Sequence, residues 1–193
     1  MDTTEQHMMN FVKELINNSV AASYPYHNFN HTMYVYEKTI EIAEHEKCSD
    51  SSLRLLKAAA LWHDTGYINI YFGHEEESCI QAQKYLPGFG FTTDEIYVIC
   101  GMIMATKIPQ TPHNHLEQII ADADLEYLGT AGAETQALQL FEELKMLNPY
   151  LHEELWNRTQ IFFLEHHQFF TGFCREHREP VKQTYLNGLK LKL

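Results

Sequence analysis

The chain has 193 residues, 45% of them hydrophobic and 12% aromatic, which suffices for one compact domain whose core can enclose a dry pocket. Its net charge of −12, from 14 basic and 26 acidic side chains, disfavours a nucleic-acid polymer or an anionic membrane as partner, while a small phosphorylated substrate remains open. No apolar run approaches the roughly 18–20 residues of a membrane span, and the opening MDTTEQHMMN carries neither a basic nor an apolar leader segment, so the expected compartment is cytoplasmic.

In chain order, the first helix is expected over about residues 3–19, with Phe11, Leu15 and Ile16 on one stripe and Asp2 or Thr3 as cap. The aromatic turn SYPYHN leads to a helix over about 30–45 and another over about 51–64, closed by Gly66. After the loop TGYINIYFG, the stretch HEEESCIQAQKYL reads as a helix that stops at Pro87-Gly88, with acidic residues favourably placed in its first turn. FTTDEIYVICGMIMAT is an apolar helix capped by Thr92 or Thr93, and KIPQTPHN is a loop because its prolines cannot continue a ladder. HLEQIIADADLEYLG makes a helix ending at Gly129, and helices over about 133–146, 149–170 and 175–190 complete the chain, the last ending near Gly188. No run shows sustained period-2 alternation, so the fold class is all-α. Cys48, Cys79, Cys100 and Cys174 are widely spaced with no CxxC pair and read as buried free thiols.

Four chemically active side chains fall on the buried stripes of these helices. Leu53, Leu56, Ala60 and His63 share one face, with Asp64 next to His63; His31 stands in line with Val35, Thr39 and Ile42; Asp122 lies between Ile119 and Leu125. Unpartnered buried charges cost several kcal/mol or more, so His31, His63, Asp64 and Asp122 together call for a shared divalent cation. Taken singly, a histidine on an apolar face is more often a hydrogen-bonded core residue. The spacings of 32 residues from His31 to His63 and 59 from His63 to Asp122 are too long to form a local motif.

The segments YHNFNH, LWHDTGY, HEEES and DADLEYLG, in the order H, HD, D, resemble the HD superfamily of metal-dependent phosphohydrolases. The likeness spans about residues 24–130, and the Tyr-His-Asn-x-x-His element is similar to one in cyclic-nucleotide phosphodiesterases. It implies a single-domain HD-type helical bundle over residues 1–193, with a metal-binding core at about 24–130 and the helices of about 131–193 completing it. It further implies that His31, His63, Asp64 and Asp122 hold the metal, with Asp124 the less favoured ligand, and that His27 donates a proton near the leaving oxygen. TGYINIYFGHEEES stands where the phosphodiesterases carry a second histidine motif, so a cyclic nucleotide is not secured as substrate.

Such a ligand set suits manganese, iron, cobalt, nickel, zinc or magnesium, and the ion would activate water toward phosphorus. Glu75 is the candidate to orient that water, with Glu76 beside it, although acidic residues in a first helical turn are ordinarily solvated. Lys107 is the candidate to meet a phosphate, against the plainer reading of a surface lysine. No further cofactor is expected. Arg175, Arg178 and Lys182 read as ion-pair partners of Glu176 and Glu179, and His166, His167, Phe169, Phe170 and Phe173 as a packed helical seam.

The expected activity is hydrolysis of a small phosphomonoester or phosphodiester, a nucleotide being the natural class; homodimerisation is left open. A mixed-valent di-iron oxygenase of the HD type is the alternative and needs His74 and either His113 or His115 in the same cavity. His113 and His115 stand only nine and seven residues before Asp122, which fits that pattern poorly. A non-catalytic sensor stabilised by its metal is the third reading.

Overall fold

The computed structural model describes residues 3–192, which hold ten α-helices and no strand. The all-α expectation is met. Helix α1 spans Thr3–Asn17, so Thr3 lies inside it, while Asp2 falls outside the described residues. Its buried stripe is Met8, Val12 and Ile16; Phe11 is half-buried, among the rings of Trp62, Tyr85 and Phe89. The chain leaves α1 earlier than expected because Ser19 caps a short 3-10 turn at Val20–Ser23, accepting a hydrogen bond from the Ala21 amide.

Helix α2 (Phe29–His45) starts at the Asn28 cap, whose Oδ1 accepts from the Asn30 amide at 2.9 Å. Helix α3 (Asp50–Trp62) starts at Ser49, and its last regular residue is Trp62. His63 and Asp64 therefore sit in the transition to a 3-10 turn at Thr65–Ile68. Gly66 lies in that turn, and its position admits no side chain: a Cβ there would be 2.0 Å from the backbone oxygen of His74. The Gly66 amide donates to Ser78 Oγ at 2.8 Å, which docks the turn on helix α4 (His74–Tyr85).

Helix α5 (Thr93–Ala105) carries a capping box in which Thr92 Oγ1 accepts from the Glu95 amide and Glu95 Oε2 from the Thr92 amide, so Thr92 and not Thr93 is the cap. Helix α6 (His115–Asp124) is shorter than expected and gives way to a 3-10 turn at Glu126–Gly129. Helices α7 (Ala133–Leu147) and α8 (Glu153–His166) follow. The chain is not helical at 167–170, where the periodicity had suggested that α8 continues. The expected final helix is two helices, α9 (Gly172–His177) and α10 (Glu179–Lys190). Pro180 sits in the first turn of α10, where its missing N–H costs nothing, and the helix runs through Gly188.

Helices α2, α3, α5 and α6 pack against one another, with α4 on α5. Their buried faces supply Trp62, Ile42, Leu56, Leu61, Ile99, Met102, Ile103, Ile119 and Ile120, which form one continuous core. Lys182 on α10 is fully buried: its ammonium donates to the His167 carbonyl at 2.6 Å, lies 3.2 Å from His167 Nδ1 and pairs with Glu179 at 2.9 Å. The basic residues of this segment thus serve structure. Arg178 binds Glu41 and the buried Glu126, and Arg175 donates to the Thr171 carbonyl.

Two measurements probe this framework. Gly66→Ala forces a backbone shift between the turn and α4 and lowers the unfolding free energy by about 2–4 kcal/mol in urea titration. Burial, followed by the Lys182 charge, depresses the His167 imidazole to a pKa of about 3, against about 6.5 in an unfolded chain. Between those values the unfolded state binds more protons, so His167 contributes stability above about pH 6.5 that is lost as pH falls. His167→Asn flattens the acid limb of a melting temperature versus pH curve.

Candidate metal centre

The cluster forms where the ends of three helices meet. His31, in the first turn of α2, is buried, and its Nε2 lies 3.1 Å from Asp124 Oδ1, 3.4 Å from Asp64 Oδ2 and 3.4 Å from His63 Nε2. His63 Nε2 lies 3.2 Å from Asp64 Oδ2 and 3.6 Å from Asp124 Oδ1. On its other side, His63 Nδ1 is 2.8 Å from the Ala60 carbonyl; that carbonyl can only accept, so Nδ1 carries a proton and Nε2 is directed into the cluster. One donor atom each from His31, His63 and Asp124 lies within 4.8 Å of the others.

Electrostatics tie these groups together. Burial alone would lower the His63 pKa, but the Asp64 and Asp124 carboxylates outweigh it and hold the imidazole well above its ordinary range. Burial would raise Asp64, yet His63 and then His74 hold it well below the usual carboxylate range. Asp124 likewise overcomes burial through His31 and His63. Asp64 Oδ2 is nevertheless buried without a hydrogen-bond partner, and so is His31 Nδ1. Two carboxylates and two imidazole nitrogens converging on one point, one carboxylate oxygen of them unsatisfied, fit a divalent cation of the first transition row or magnesium.

Asp122 does not join this cluster, which corrects the ligand set read from the sequence. It is fully buried, but its carboxylate accepts from the Phe170 amide (2.9 and 3.1 Å), the Thr171 amide (2.8 Å) and the Thr171 hydroxyl (2.7 Å). Burial raises its pKa to about 6 against the pull of those donors. Two positions apart on a helix, Asp122 and Asp124 project about 200° from each other, so only one can face the histidines. The inward-facing residue was identified as buried, but its partners are backbone amides rather than a cation.

His27 stands beside the cluster. Its Nδ1 is 2.5 Å from Glu143 Oε1, its Nε2 is 3.1 Å from the Tyr67 hydroxyl, and its ring stacks on Tyr67 at 4.2 Å. Glu143, on α7, is fully buried and also accepts from the Tyr26 amide (2.8 Å), the His27 amide (2.9 Å) and the Tyr71 hydroxyl (2.8 Å). Burial would raise its pKa, and these donors, His27 foremost, reverse the sign. The sequence reading missed Glu143, because in FEEL nothing distinguishes it from its exposed neighbour Glu142.

His74 reaches the cluster edge, with Nε2 3.4 Å from Asp64 Oδ1, and Glu75 is buried beside it at 3.6 Å from His74 Nδ1. Glu76 is exposed and ion-paired to Lys107. His113 and His115 do not converge: His113 is exposed and pairs with Glu117, and His115 pairs with Glu46 at 3.5 Å. A cavity of about 400 Å³ opens from the cluster and is lined by His27, Asp64, His74, Glu75, Lys107 and Asp124 at that end.

No protein-family profile and no curated protein sequence matches the chain. Solved structures do match. A predicted HD superfamily hydrolase from an uncultured Thermotogales bacterium superposes with a TM-score of 0.66 at 22% identity, over 96% of this chain and 88% of that one. The fold is of the HD type. Bacillus subtilis YpgQ, solved in complex with ADP, shares it with a TM-score of 0.68 at 17% identity, over 98% and 95% of the two chains; selenomethionyl YpgQ gives 0.63 at 17%, over 99% and 96%. The likeness extends across nearly the whole length, including α7, which carries Glu143, and the 170–171 segment, whose amides bind Asp122.

Asp122→Ala strands two buried amides and the Thr171 hydroxyl, which costs about 1–3 kcal/mol for each unsatisfied group. The expected loss is on the order of 3 kcal/mol in chemical denaturation, with the 167–171 segment becoming the first to exchange its amide protons.

Proposed function

We propose that the chain is a metal-dependent hydrolase of small phosphate esters, with His31, His63, Asp64 and Asp124 holding a divalent cation. The observation that carries this reading is the convergence of two imidazoles on the buried Asp64 Oδ2, which lies 3.2 Å from His63 Nε2 and 3.4 Å from His31 Nε2 without a hydrogen bond aligned to either, next to a histidine held by Glu143. A divalent ion bound there supplies Lewis acidity toward a phosphoryl oxygen and a water.

The chain's own residues account for the rest. Glu143 accepts the Nδ1 proton of His27 and fixes the ring, leaving Nε2 to deliver a proton to the leaving oxygen as the ester P–O bond breaks, a contribution of typically 10²–10⁴ in rate. Tyr67, stacked on both His27 and His74, keeps the two rings apart. Glu75 takes the proton that the attacking water gives up as its oxygen bonds to phosphorus. Lys107, at the cavity mouth, exchanges Glu76 for a phosphoryl oxygen of the substrate.

A nucleotide is the substrate class to examine first, since YpgQ holds ADP on the same fold. The four free cysteines support the cytoplasm as compartment. The described residues contain no helix long and apolar enough to cross a membrane.

The test is a screen of nucleoside mono-, di-, tri- and cyclic phosphates against Mn2+-loaded protein, with metal content measured in parallel. Asp64→Ala and Asp124→Ala are expected to lose both metal and activity, whereas Asp122→Ala retains its metal. His27→Ala retains metal while kcat falls by about 10²–10⁴. Metal-replete protein that cleaves no phosphate ester would refute the hydrolase reading, and two irons per chain would favour the oxygenase.

A further inference from the structure

We infer that the substrate carries a single phosphoryl group on a flat, apolar organic part, and that this part lies in the arm of the cavity walled by Leu140, Leu144, Trp156 and Phe163. This rests on the proposed hydrolase reading and narrows its nucleotide class, favouring one phosphoryl group over a diphosphate such as the ADP that YpgQ holds. The cavity has two chemically distinct ends. Its titratable groups gather at the metal cluster, while α7 and α8 supply the apolar side chains of the far end. Leu140, Leu144, Trp156 and Phe163 line this end and are each only half-buried.

Trp156 is held as a platform by Phe141, the two rings lying nearly parallel at 5.8 Å and 20°, a geometry suited to stacking a further ring. The polar groups of the arm are committed internally. Gln160 accepts from the Tyr185 hydroxyl at 2.7 Å and donates to Asn157, and Thr159 donates to the Leu155 carbonyl at 2.9 Å. An apolar ring loses nothing by entering such a surface, whereas a chain of hydroxyls would leave its donors without partners.

Charge limits the phosphate count. Among the described residues lining the cavity, Lys107 is the one lysine or arginine, and it already faces Glu76. Asp64, Glu75 and Asp124 line the same space. One phosphoryl group can be met by the cation and Lys107; His27 and His74 also line the space but already face Glu143 and Asp64, so each further phosphate finds no uncommitted positive charge. A volume of about 400 Å³ is at the small end of ligand pockets and suits one ring system with one phosphoryl group.

The experiment is a calorimetric titration of Mn2+-loaded protein with phenyl phosphate, inorganic phosphate and tripolyphosphate, accompanied by tryptophan emission. Phenyl phosphate is expected to bind about tenfold or more tighter than inorganic phosphate, from burial of its ring, and tighter than tripolyphosphate. It is also expected to perturb an emission signal that Trp156→Phe removes. Leu140→Asp and, independently, Leu144→Gln lower the affinity for phenyl phosphate relative to inorganic phosphate by a similar factor, in variants whose circular dichroism and melting confirm folding. Equal affinity for phenyl and inorganic phosphate, or tighter tripolyphosphate, in the unmutated protein overturns the inference. Tight, Trp156-dependent binding without turnover sustains it while refuting hydrolysis; turnover with no preference for the ring does the reverse.

Discussion

The structure depends on how buried negative charge is answered. Asp64, Asp122, Glu126 and Glu143 are buried and Asp124 is half-buried, a setting costly for an isolated carboxylate, and they are answered by different kinds of partner. Glu126 has the Tyr34 hydroxyl and the Arg178 guanidinium. Glu143 has two amides, a phenol and an imidazole. Asp122 has two amides and a hydroxyl. Asp64 and Asp124 alone are left to imidazoles, and Asp64 Oδ2 has imidazole nitrogens near it but no aligned hydrogen bond. What sets the candidate centre apart from the structural acids is this incomplete satisfaction, with Asp124 also the least buried of the five.

Much of the site was legible in the sequence, for physical reasons. His31 and His63 lie in register with apolar residues of their helices, and a side chain in that register has nowhere to point but inward. The HD pair marks a helix end, and α3 does stop at Trp62, which lets two adjacent residues face one point. The second carboxylate was misassigned because DAD offers two candidates and the choice turns on a remote element. The amides that claim Asp122 belong to residues 170 and 171, 48 and 49 positions later. Periodicity had run α8 through that segment, where those N–H groups would be spent inside a helix. The same long-range dependence hid Glu143, whose burial exists only once α7 lies across the N-terminal turn at Tyr26 and His27.

Helix boundaries failed in a consistent manner. α1, α3, α6 and α8 all end sooner than the apolar pattern suggested, and at α1, α3 and α6 a 3-10 turn takes up the chain nearby. A tighter turn keeps apolar side chains in contact with the core while redirecting the backbone, so the hydrophobic signal outlives the helix. Two of these terminations, at His63–Asp64 and at Asp124–Leu125, are where the cluster is built.

Helix α7 carries Glu143, which anchors the His27 ring, and also Leu140, about one turn before it, and Leu144, next to it, both of which line the cavity. Under the proposed roles of His27 and of the apolar arm, a rigid rod shared in this way would couple selectivity to proton delivery. Sliding or tilting α7 to admit a bulkier guest would drag the imidazole out of alignment at the same moment. Divergence toward new substrates on this scaffold is therefore confined to exchanging side chains along a stationary rod, and the backbone of α7 should drift less among descendants than its surface-facing sequence does.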